Sequence, residues 1–282
     1  MIKVRLKGGL GNQMFQFAAG FSLSKRLNTN LVIDTYSYQV DALRNYELDG
    51  YQIKTKLEEE NNFNLIESAF NRVQEKNVCH EFVESSLASN YDKAFESIVN
   101  DTVVKGSFHS EKYFIDCEEK IRRKFTINLS SIDSCKKILS KISDSNSISL
   151  HVRRGDYVTN EDIKKSHNHL KSNYYINAIK YMRESFDNFK LFVFTDDAGW
   201  VREYFEIKEP FEIVSYEGAF KNNIELQLMS HCKHHIIANS AYSWWGAWLN
   251  ASRNKKVIAP RKWFHEGQGI NDCRLPESWI QI

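Results

Sequence analysis

The stretch Ser147 to Tyr157, with the sequence SISLHVRRGDY, decides the fold. Ile148, Leu150 and Val152 alternate with polar residues, which is the period of a β-strand with one apolar face. The strand then ends in two guanidiniums, a glycine and a carboxylate, namely Arg153, Arg154, Gly155 and Asp156. Ligands of open α/β sheets bind at the carboxyl ends of strands, so two permanent cations there predict an anionic ligand such as a diphosphate. The alternative is a surface ion pair between Arg154 and Asp156.

The composition indicates a globular protein whose basic sites are local. The 282 residues, 42% of them hydrophobic, are enough for one large core or two modest ones. The 38 Lys and Arg nearly cancel the 36 Asp and Glu, which excludes a nucleic-acid binder driven by bulk charge. Five scattered cysteines without a CxxC pair favour buried thiols in a reducing compartment.

The amino-terminal sequence MIKVRLKGGLGNQ enters a strand directly, without the charged and then apolar segments of a secretory signal. No run of about 18 apolar residues occurs. We therefore predict a cytoplasmic location with at most peripheral membrane association.

The first 34 residues predict a βαβ unit, with strands at Ile2–Leu6 and Leu31–Asp34 and a helix at Asn12–Leu27. Gly9 and Gly11 open the helix as in a dinucleotide-binding fingerprint, which would make the chain an oxidoreductase. Met14 stands where the third glycine of that fingerprint belongs, which disfavours it.

The preferred interpretation of this glycine turn is a backbone that approaches a ligand at a helix amino terminus. Asn12 and Gln13 would supply amide donors and acceptors to that ligand. A plain tight turn with an asparagine N-cap is the alternative.

The central part of the chain is less regular. Lys54–Asn62 is a charged run that predicts a solvated face, and Val103–Phe108 predicts a strand that ends near Gly106. Ser107, His109 and Ser110 would then face a cleft. The polar stretch Ser143–Ser147 predicts a boundary between residues 1–144 and 145–282.

Two further strand ends in the second half carry polar groups. Lys190–Thr195 predicts a buried strand followed by Asp196 and Asp197, which favour a helix N-cap over a divalent metal that holds a diphosphate. His235–Ala238 predicts a strand that ends in Asn239, after which Ser240 or Ser243 can cap a new helix. The tryptophans of that helix are expected mainly in the core. Strand and helix alternate throughout, which predicts a Rossmann-like parallel sheet.

Four blocks occur together: GGLGNQMFQFA, HVRRGD, FTDD and CKHHIIANSAYSWWGAWLN. In this order they resemble the α1,2-fucosyltransferases, glycosyltransferase family 11, and in particular its bacterial members. The resemblance implies a GT-B-like α/β fold with two Rossmann-like domains facing across a cleft. Residues 1–144 would form the acceptor-side domain and residues 145–282 the domain that binds the GDP-sugar.

The resemblance also implies the reaction. An inverting transfer would move L-fucose from GDP-β-L-fucose to the 2-hydroxyl of a terminal β-galactoside on a free or lipid-linked glycan of a bacterial surface polysaccharide. It implies neither a metal nor another cofactor. Transfer of another GDP-sugar and a non-catalytic GDP-sugar or glycan-binding module remain alternatives.

The matching blocks give the predicted site. The predicted catalytic residues are Asn12, His151, Arg153, Arg154 and Asp156. The predicted substrate-binding residues are Gly9, Gly11, Asn12, Gln13, His151, Arg153, Arg154, Thr195, Asp196, Asp197, Asn239, Ser240, Ser243 and Trp244. The general base is open: Asp156 is one candidate, and a late proton transfer that needs no strong base is the other.

Overall fold

The computed structural model describes residues 1–51, 53, 56–58, 80–85, 91–155, 170–205, 207–263 and 274–282. The chain divides into two compact units. Of the described residues, the first unit contains those up to Lys124 together with Arg274, and the second unit contains the others from Phe125 onward. Each unit has its own parallel sheet.

The sheet of the first unit has five described strands, all parallel. They are β1 (Ile2–Arg5), β2 (Leu31–Asp34), β3 (Lys56–Glu58), β4 (His80–Val83) and β5 (Thr102–Lys105). Their order in the sheet is β3-β2-β1-β5-β4. The chain builds outward from β1 on one side and then crosses to the other, so the topological switch point lies between β1 and β5.

Three of the described α-helices accompany this sheet: α1 (Leu10–Arg26), α2 (Ser37–Val40) and α3 (Glu118–Lys124). Helix α1 is buried along most of its length, because Met14, Phe17 and Ala18 all lie in the core. The helix packs tightly on the sheet at Gly20, where an added Cβ would lie 3.0 Å from Val4. The third glycine of a dinucleotide-binding fingerprint would stand at position 14, which Met14 occupies. The tight contact of this helix with the sheet therefore lies more than one turn further along α1.

The sheet of the second unit has six described strands, also parallel. They are β6 (Ser147–Val152), β7 (Lys190–Thr195), β8 (Phe211–Ile213), β9 (His234–Ile236), β10 (Val257–Ala259) and β11 (Ile280–Gln281). The order β11-β10-β9-β6-β7-β8 places the switch point between β6 and β9. The predicted Rossmann-like sheet is confirmed, and β6, which begins the Ser147–Tyr157 stretch, is one of its two central strands.

Within the part of the chain that the structure describes, five α-helices cover the second sheet: α4 (Asp133–Ser143), α5 (Ser172–Ser185), α6 (Ala198–Tyr204), α7 (Lys221–His231) and α8 (Ala241–Leu249). One core cluster joins Tyr175 and Met182 of α5 to Leu150 of β6. A second cluster joins Leu228 and Met229 of α7 to β7. Both faces of the sheet are thus covered, which explains why all six residues of β6 are buried.

The division between the units differs from the predicted boundary at residues 144 and 145. Helix α4 belongs to the second unit, because Cys135 and Ile142 pack against Phe192 and Leu228. The polar stretch Ser143–Ser147 is therefore a turn between α4 and β6, and the division falls after Lys124.

The sequence prediction also missed two strands of the first sheet. Part of the charged run Lys54–Asn62 forms β3, whose backbone pairs with β2, and β4 is largely exposed. Edge strands carry no regular apolar alternation when one face is solvated, so their sequences look like loops. None of the described helices combines the length and the apolar character that crossing a bilayer requires.

Candidate active site

The predicted anion site lies at the switch point of the second sheet. Arg153 and Arg154 follow β6, and Asn239 and Ser240 follow β9, the strand beside it. The carboxyl ends of neighbouring strands at a switch point diverge into a crevice, which is where open α/β sheets bind ligands. The predicted Asp156 lies outside the described residues.

Two carboxylates from the next strand end hold the arginine pair, Arg153 and Arg154. Arg153 Nη1 lies 2.7 Å from Asp196 Oδ2, and Arg154 Nε lies 3.2 Å from Asp197 Oδ2. The arginine side chains are only 23% and 17% exposed. They are thus held at the sheet edge and do not extend into bulk solvent.

Packing restricts the arginine pair further. The guanidinium of Arg154 lies 4.1 Å from the ring centre of Trp200 on α6, a cation–π distance. The backbone N–H of Arg154 donates to Asp196 Oδ1 at 2.9 Å. A Cβ added at Gly155 would lie 2.5 Å from Asp196 Oδ2, so only glycine leaves that carboxylate its place.

Asp197 is also the N-cap of α6. Its Oδ1 accepts the N–H of Trp200 at 3.0 Å, and its own N–H donates to Thr195 Oγ1 at 3.0 Å. The Trp200 N–H, followed by Arg154, lowers the pKa of the Asp197 carboxyl. The predicted N-cap is confirmed for Asp197. Among the described residues, no cluster of three or more His, Cys, Asp or Glu side chains could hold a metal ion.

His151 is a buried, neutral imidazole behind the arginine pair. It is 4% exposed, and its ring centre lies 5.5 Å from that of Tyr242 on α8. Burial, followed by the charge of Arg153, lowers the pKa of His151 to about 3. Its Nδ1 has no hydrogen-bond partner among the described residues. A positive charge on this ring is therefore not available near neutral pH.

This burial predicts a pH dependence of stability. Between pH 6.5, the ordinary pKa of histidine, and about 3, the unfolded chain takes up a proton at residue 151 that the native protein does not. The free energy of unfolding should therefore fall as the pH falls through this window, by up to about 1.4 kcal/mol per pH unit. Urea unfolding of the wild type and His151→Gln at pH 5 to 7.5 measures this. The slope should be smaller in His151→Gln than in the wild type, and equal slopes in the two proteins would contradict this explanation.

The residues after β9 have mainly structural contacts. Asn239 is buried, and its Nδ2 donates to the carbonyl of Trp263 at 2.8 Å. Ser240 occupies the N-cap position of α8, but its side chain makes no capping hydrogen bond with the described residues. Ser243 is fully buried, and its hydroxyl makes long contacts of 3.4 Å to the carbonyls of Ala238 and Ser240.

Trp244 is a core residue, which corrects its prediction as a substrate contact. Its side chain has no exposed surface and packs against Trp245, Trp248 and Trp279. The backbone N–H of Trp244 donates to the Ser240 carbonyl in the first turn of the helix. The apolar character of α8 thus has a packing origin.

A second polar pair lies at the switch point of the first sheet. Gly8 and Gly9 follow β1, and the residues after β5 lead to His109. His109 Nε2 lies 2.8 Å from Asn12 Oδ1, so the contact joins the two strand ends on either side of the switch point. The sequence placed His109 near a cleft but gave no reason to pair it with Asn12.

Gln13, predicted to bind substrate, instead ties two loops together. Its Nε2 donates to the carbonyls of Gly8 and Asn45 at 3.0 and 2.8 Å, and its Oε1 accepts the N–H of Glu47 at 2.9 Å. The residue is fully buried. Its hydrogen bonds shape the loop, and this corrects the prediction of a direct contact. Gly11 is likewise buried within α1, whereas Gly9 is half-buried at its N-cap.

Gly8 was not among the predicted site residues, yet its conformation restricts that loop most. Its φ of +78° is left-handed, and an added Cβ would lie 2.6 Å from Asn12 Nδ2. We expect Gly8→Ala to lower the free energy of unfolding by about 1 to 2 kcal/mol, because it combines backbone strain with a clash. Denaturant unfolding measures this. Gly199→Ala in α6 is the control, since its Cβ would make an ordinary contact of 3.8 Å; an equal loss in both variants would contradict the explanation.

The sequence as a whole matches the family described as Glycosyl transferase family 11 over residues 1–282. The chain belongs to glycosyltransferase family 11. The family 11 chain is therefore a glycosyltransferase. It is 36% identical to an α-1,2-colitosyltransferase of Escherichia coli, covering 100% of this chain and 99% of the relative. It is 34% identical to the O-antigen biosynthesis glycosyltransferase WbnK of Escherichia coli, covering 98% and 99%.

Solved structures share the fold of the family 11 chain. The α-1,6-fucosyltransferase NodZ, in crystals soaked with GDP-fucose, matches with a TM-score of 0.51 at 14% identity, covering 88% of this chain and 91% of NodZ. The ADP-heptose lipopolysaccharide heptosyltransferase II of Escherichia coli also matches with a TM-score of 0.51, at 11% identity, covering 100% and 89%. These similarities confirm the predicted GT-B-like α/β fold.

Proposed function

We propose that this family 11 enzyme transfers L-fucose from GDP-β-L-fucose to the 2-hydroxyl of a terminal β-galactoside, with inversion at the sugar carbon. The single observation that carries the proposal is the arginine pair at the switch point of the second sheet. Two half-buried guanidiniums at the carboxyl end of a central strand suit the diphosphate of a nucleotide sugar. The second unit would then bind the donor and the first unit the acceptor.

The chemistry assigned to the arginine pair is charge stabilisation. Transfer breaks the bond between C1 of the sugar and the diphosphate through an oxocarbenium-like state, so negative charge grows on the leaving oxygens. In the structure Asp196 and Asp197 neutralise the two guanidiniums. A bound diphosphate would share or replace these carboxylates as partners. A guanidinium provides this stabilisation without a metal, and the proposal includes none.

The remaining proposed roles concern orientation and proton transfer. Asn12 of the first unit would contact a reacting group, and the neutral ring of His151 would support Arg153 from behind. The first-turn amides of α8 would face the nucleotide. Asp156, or no strong base at all, would take the proton of the acceptor hydroxyl.

A second candidate donor is GDP-colitose. The relative named as an α-1,2-colitosyltransferase, at 36% identity over the whole chain, favours it. Colitose is fucose without its 3-hydroxyl, so an enzyme for fucose would differ by a hydrogen-bonding group for that hydroxyl. A site that hydrogen-bonds a substrate hydroxyl strongly rejects an analogue without that hydroxyl, whereas an apolar pocket rejects an analogue with an added hydroxyl only weakly.

The proposed setting is the synthesis of bacterial O-antigen or capsule on the cytoplasmic side of the inner membrane. The relative named as an O-antigen biosynthesis glycosyltransferase supports this setting. The acceptor would be a galactose-terminated glycan, free or lipid-linked.

A donor screen by mass spectrometry tests the proposal. Purified protein is incubated with lactose and, separately, GDP-fucose, GDP-colitose, GDP-mannose and UDP-sugars. We expect GDP-fucose to give a product that is heavier than lactose by one fucose residue. The other donors should give no product, or far less of it. Preference for GDP-colitose would select the second candidate. Binding of GDP without product from any donor would indicate a non-catalytic module.

A further inference from the structure

A buried carboxylate, that of Glu84, forms hydrogen bonds to the backbone of the loop that carries His109. Glu84 follows β4, is 7% exposed, and accepts the N–H groups of Ser107 and Phe108 at 2.7 and 2.9 Å. It also accepts the hydroxyl of Tyr113 at 2.7 Å. The three donors therefore engage both oxygens of the Glu84 carboxylate, and two of these hydrogen bonds fix the backbone immediately before His109.

The same backbone has an unusual conformation at Phe108. Its φ of +51° is left-handed, which a bulky residue adopts only when its surroundings impose it. The side chain is fully buried, with its ring 5.7 Å from that of Phe95 and 5.2 Å from that of Tyr113. Packing and Glu84 together hold this turn. Its consequence is that the chain directs His109 toward α1 rather than along β5.

His109 then meets Asn12 with a defined geometry. Its ring stands edge-on to Phe15 at 5.1 Å, and its Nε2 lies 2.8 Å from Asn12 Oδ1. Since a side-chain carbonyl oxygen only accepts, Nε2 is the nitrogen that carries the proton in this contact. The amide orientation of Asn12 follows: Oδ1 faces His109, and Nδ2 lies against the Cα of Gly8.

We propose that His109 is a positioning residue for Asn12. It holds the amide oxygen so that the Nδ2 donor of Asn12 stays at the Gly8–Gly9 loop, the place where the proposed function requires a contact with a reacting group. The inference rests on the proposed function for the role of Asn12 in transfer, but the hydrogen bond itself does not. Glu84 supports His109 through the backbone and has no direct contact in this role.

A double-mutant cycle tests whether His109 acts through Asn12. With the donor that the wild type uses, His109→Ala should lower kcat about tenfold, the effect of one hydrogen bond, with little change in the KM for the donor. His109→Gln, whose amide nitrogen replaces Nε2, should recover kcat to within about threefold of wild type. In an Asn12→Ala background, His109→Ala should change kcat by less than about twofold. The proposal would be overturned if the kcat losses of His109→Ala and Asn12→Ala multiplied in the double variant, or if Asn12→Ala alone kept the wild-type kcat.

A spectroscopic measurement keeps the inference independent of turnover. Long-range ¹H–¹⁵N spectra of the full chain should show His109 as the Nε2–H tautomer, and this signature should weaken in Asn12→Ala. The Nδ1–H tautomer in the wild type would contradict the geometry. If no donor is turned over, the proposed function fails while the tautomer still decides the hydrogen bond. His80→Gln, at an exposed site on β4, controls for assignment and for general effects of histidine removal.

Discussion

The Arg153→Ala variant is expected to lose about 10³-fold in kcat. A guanidinium about 4 Å from the leaving diphosphate contributes roughly 4 kcal/mol at an effective dielectric near 20, if the contact tightens in the transition state. Arg154→Ala should lose a similar factor and some stability as well, because Arg154 also packs on Trp200 and pairs with Asp197. Lysine at either position should restore only part of the loss, since it lacks the planar fork that bonds two oxygens at once.

Steady-state turnover with the natural donor measures the effect, and Arg123→Ala is the matched control. Arg123 lies on α3 with its side chain 75% exposed, so its removal changes net charge by the same amount without touching the site. Thermal unfolding of each variant separates lost catalysis from lost folding. Turnover near the wild-type level in both Arg153→Ala and Arg154→Ala would refute the role of the arginine pair.

Trp244→Ala is expected to give the largest loss of stability. Truncating a fully buried tryptophan removes its apolar burial and leaves a cavity, which costs about 3 to 5 kcal/mol. The neighbouring rings cannot easily fill that cavity: Trp245 and Trp248 pack against each other as well as against Trp244, and Trp279 packs against Trp244. Urea unfolding, read as the change in midpoint at constant slope, measures the effect.

The comparison with two milder variants shows whether Trp244 packs or binds. Trp244→Phe should retain most of the stability and bind GDP as the wild type does. Tyr204→Ala, which removes an exposed aromatic side chain at the end of α6, should change the free energy of unfolding by less than about 0.5 kcal/mol. A Trp244→Ala variant that unfolds like the wild type but binds GDP weakly would restore the original prediction of a substrate contact.

The sequence predicted the central elements of the fold with good accuracy. The strand at Lys190–Thr195 has the predicted bounds, and the predicted strand at the start of the Ser147–Tyr157 stretch is β6. These strands are buried on both faces and end in charged residues, so their apolar pattern is strong and local. The edge strands β3 and β4 were missed because backbone pairing defines them, and their sequences carry no apolar pattern long enough to mark a strand.

The candidate site was predictable as far as each loop carries its own signal. The position of the arginines after β6 and the N-cap Asp197 could be read from sequence, since a strand end and an N-cap are marked by residues a few positions apart. The pairing of those arginines with Asp196 and Asp197 joins two strand ends, and no local pattern marks it. The pairing of His109 with Asn12 and the clamp by Glu84 join residues far apart in the chain, so no local pattern marks them. The contacts of Gln13 with Asn45 and Glu47 escaped prediction for the same reason.

The most direct test of the central claim is the preference for GDP over guanosine, measured by calorimetric titration of the wild type and of Arg153→Ala. If the arginine pair binds the diphosphate, the wild type should bind GDP on the order of 100-fold more tightly than guanosine, the effect of two charge-assisted hydrogen bonds. The preference should largely disappear in Arg153→Ala while guanosine binding stays the same. Equal affinity of the wild type for the two compounds, or an unchanged preference in the variant, would contradict the account.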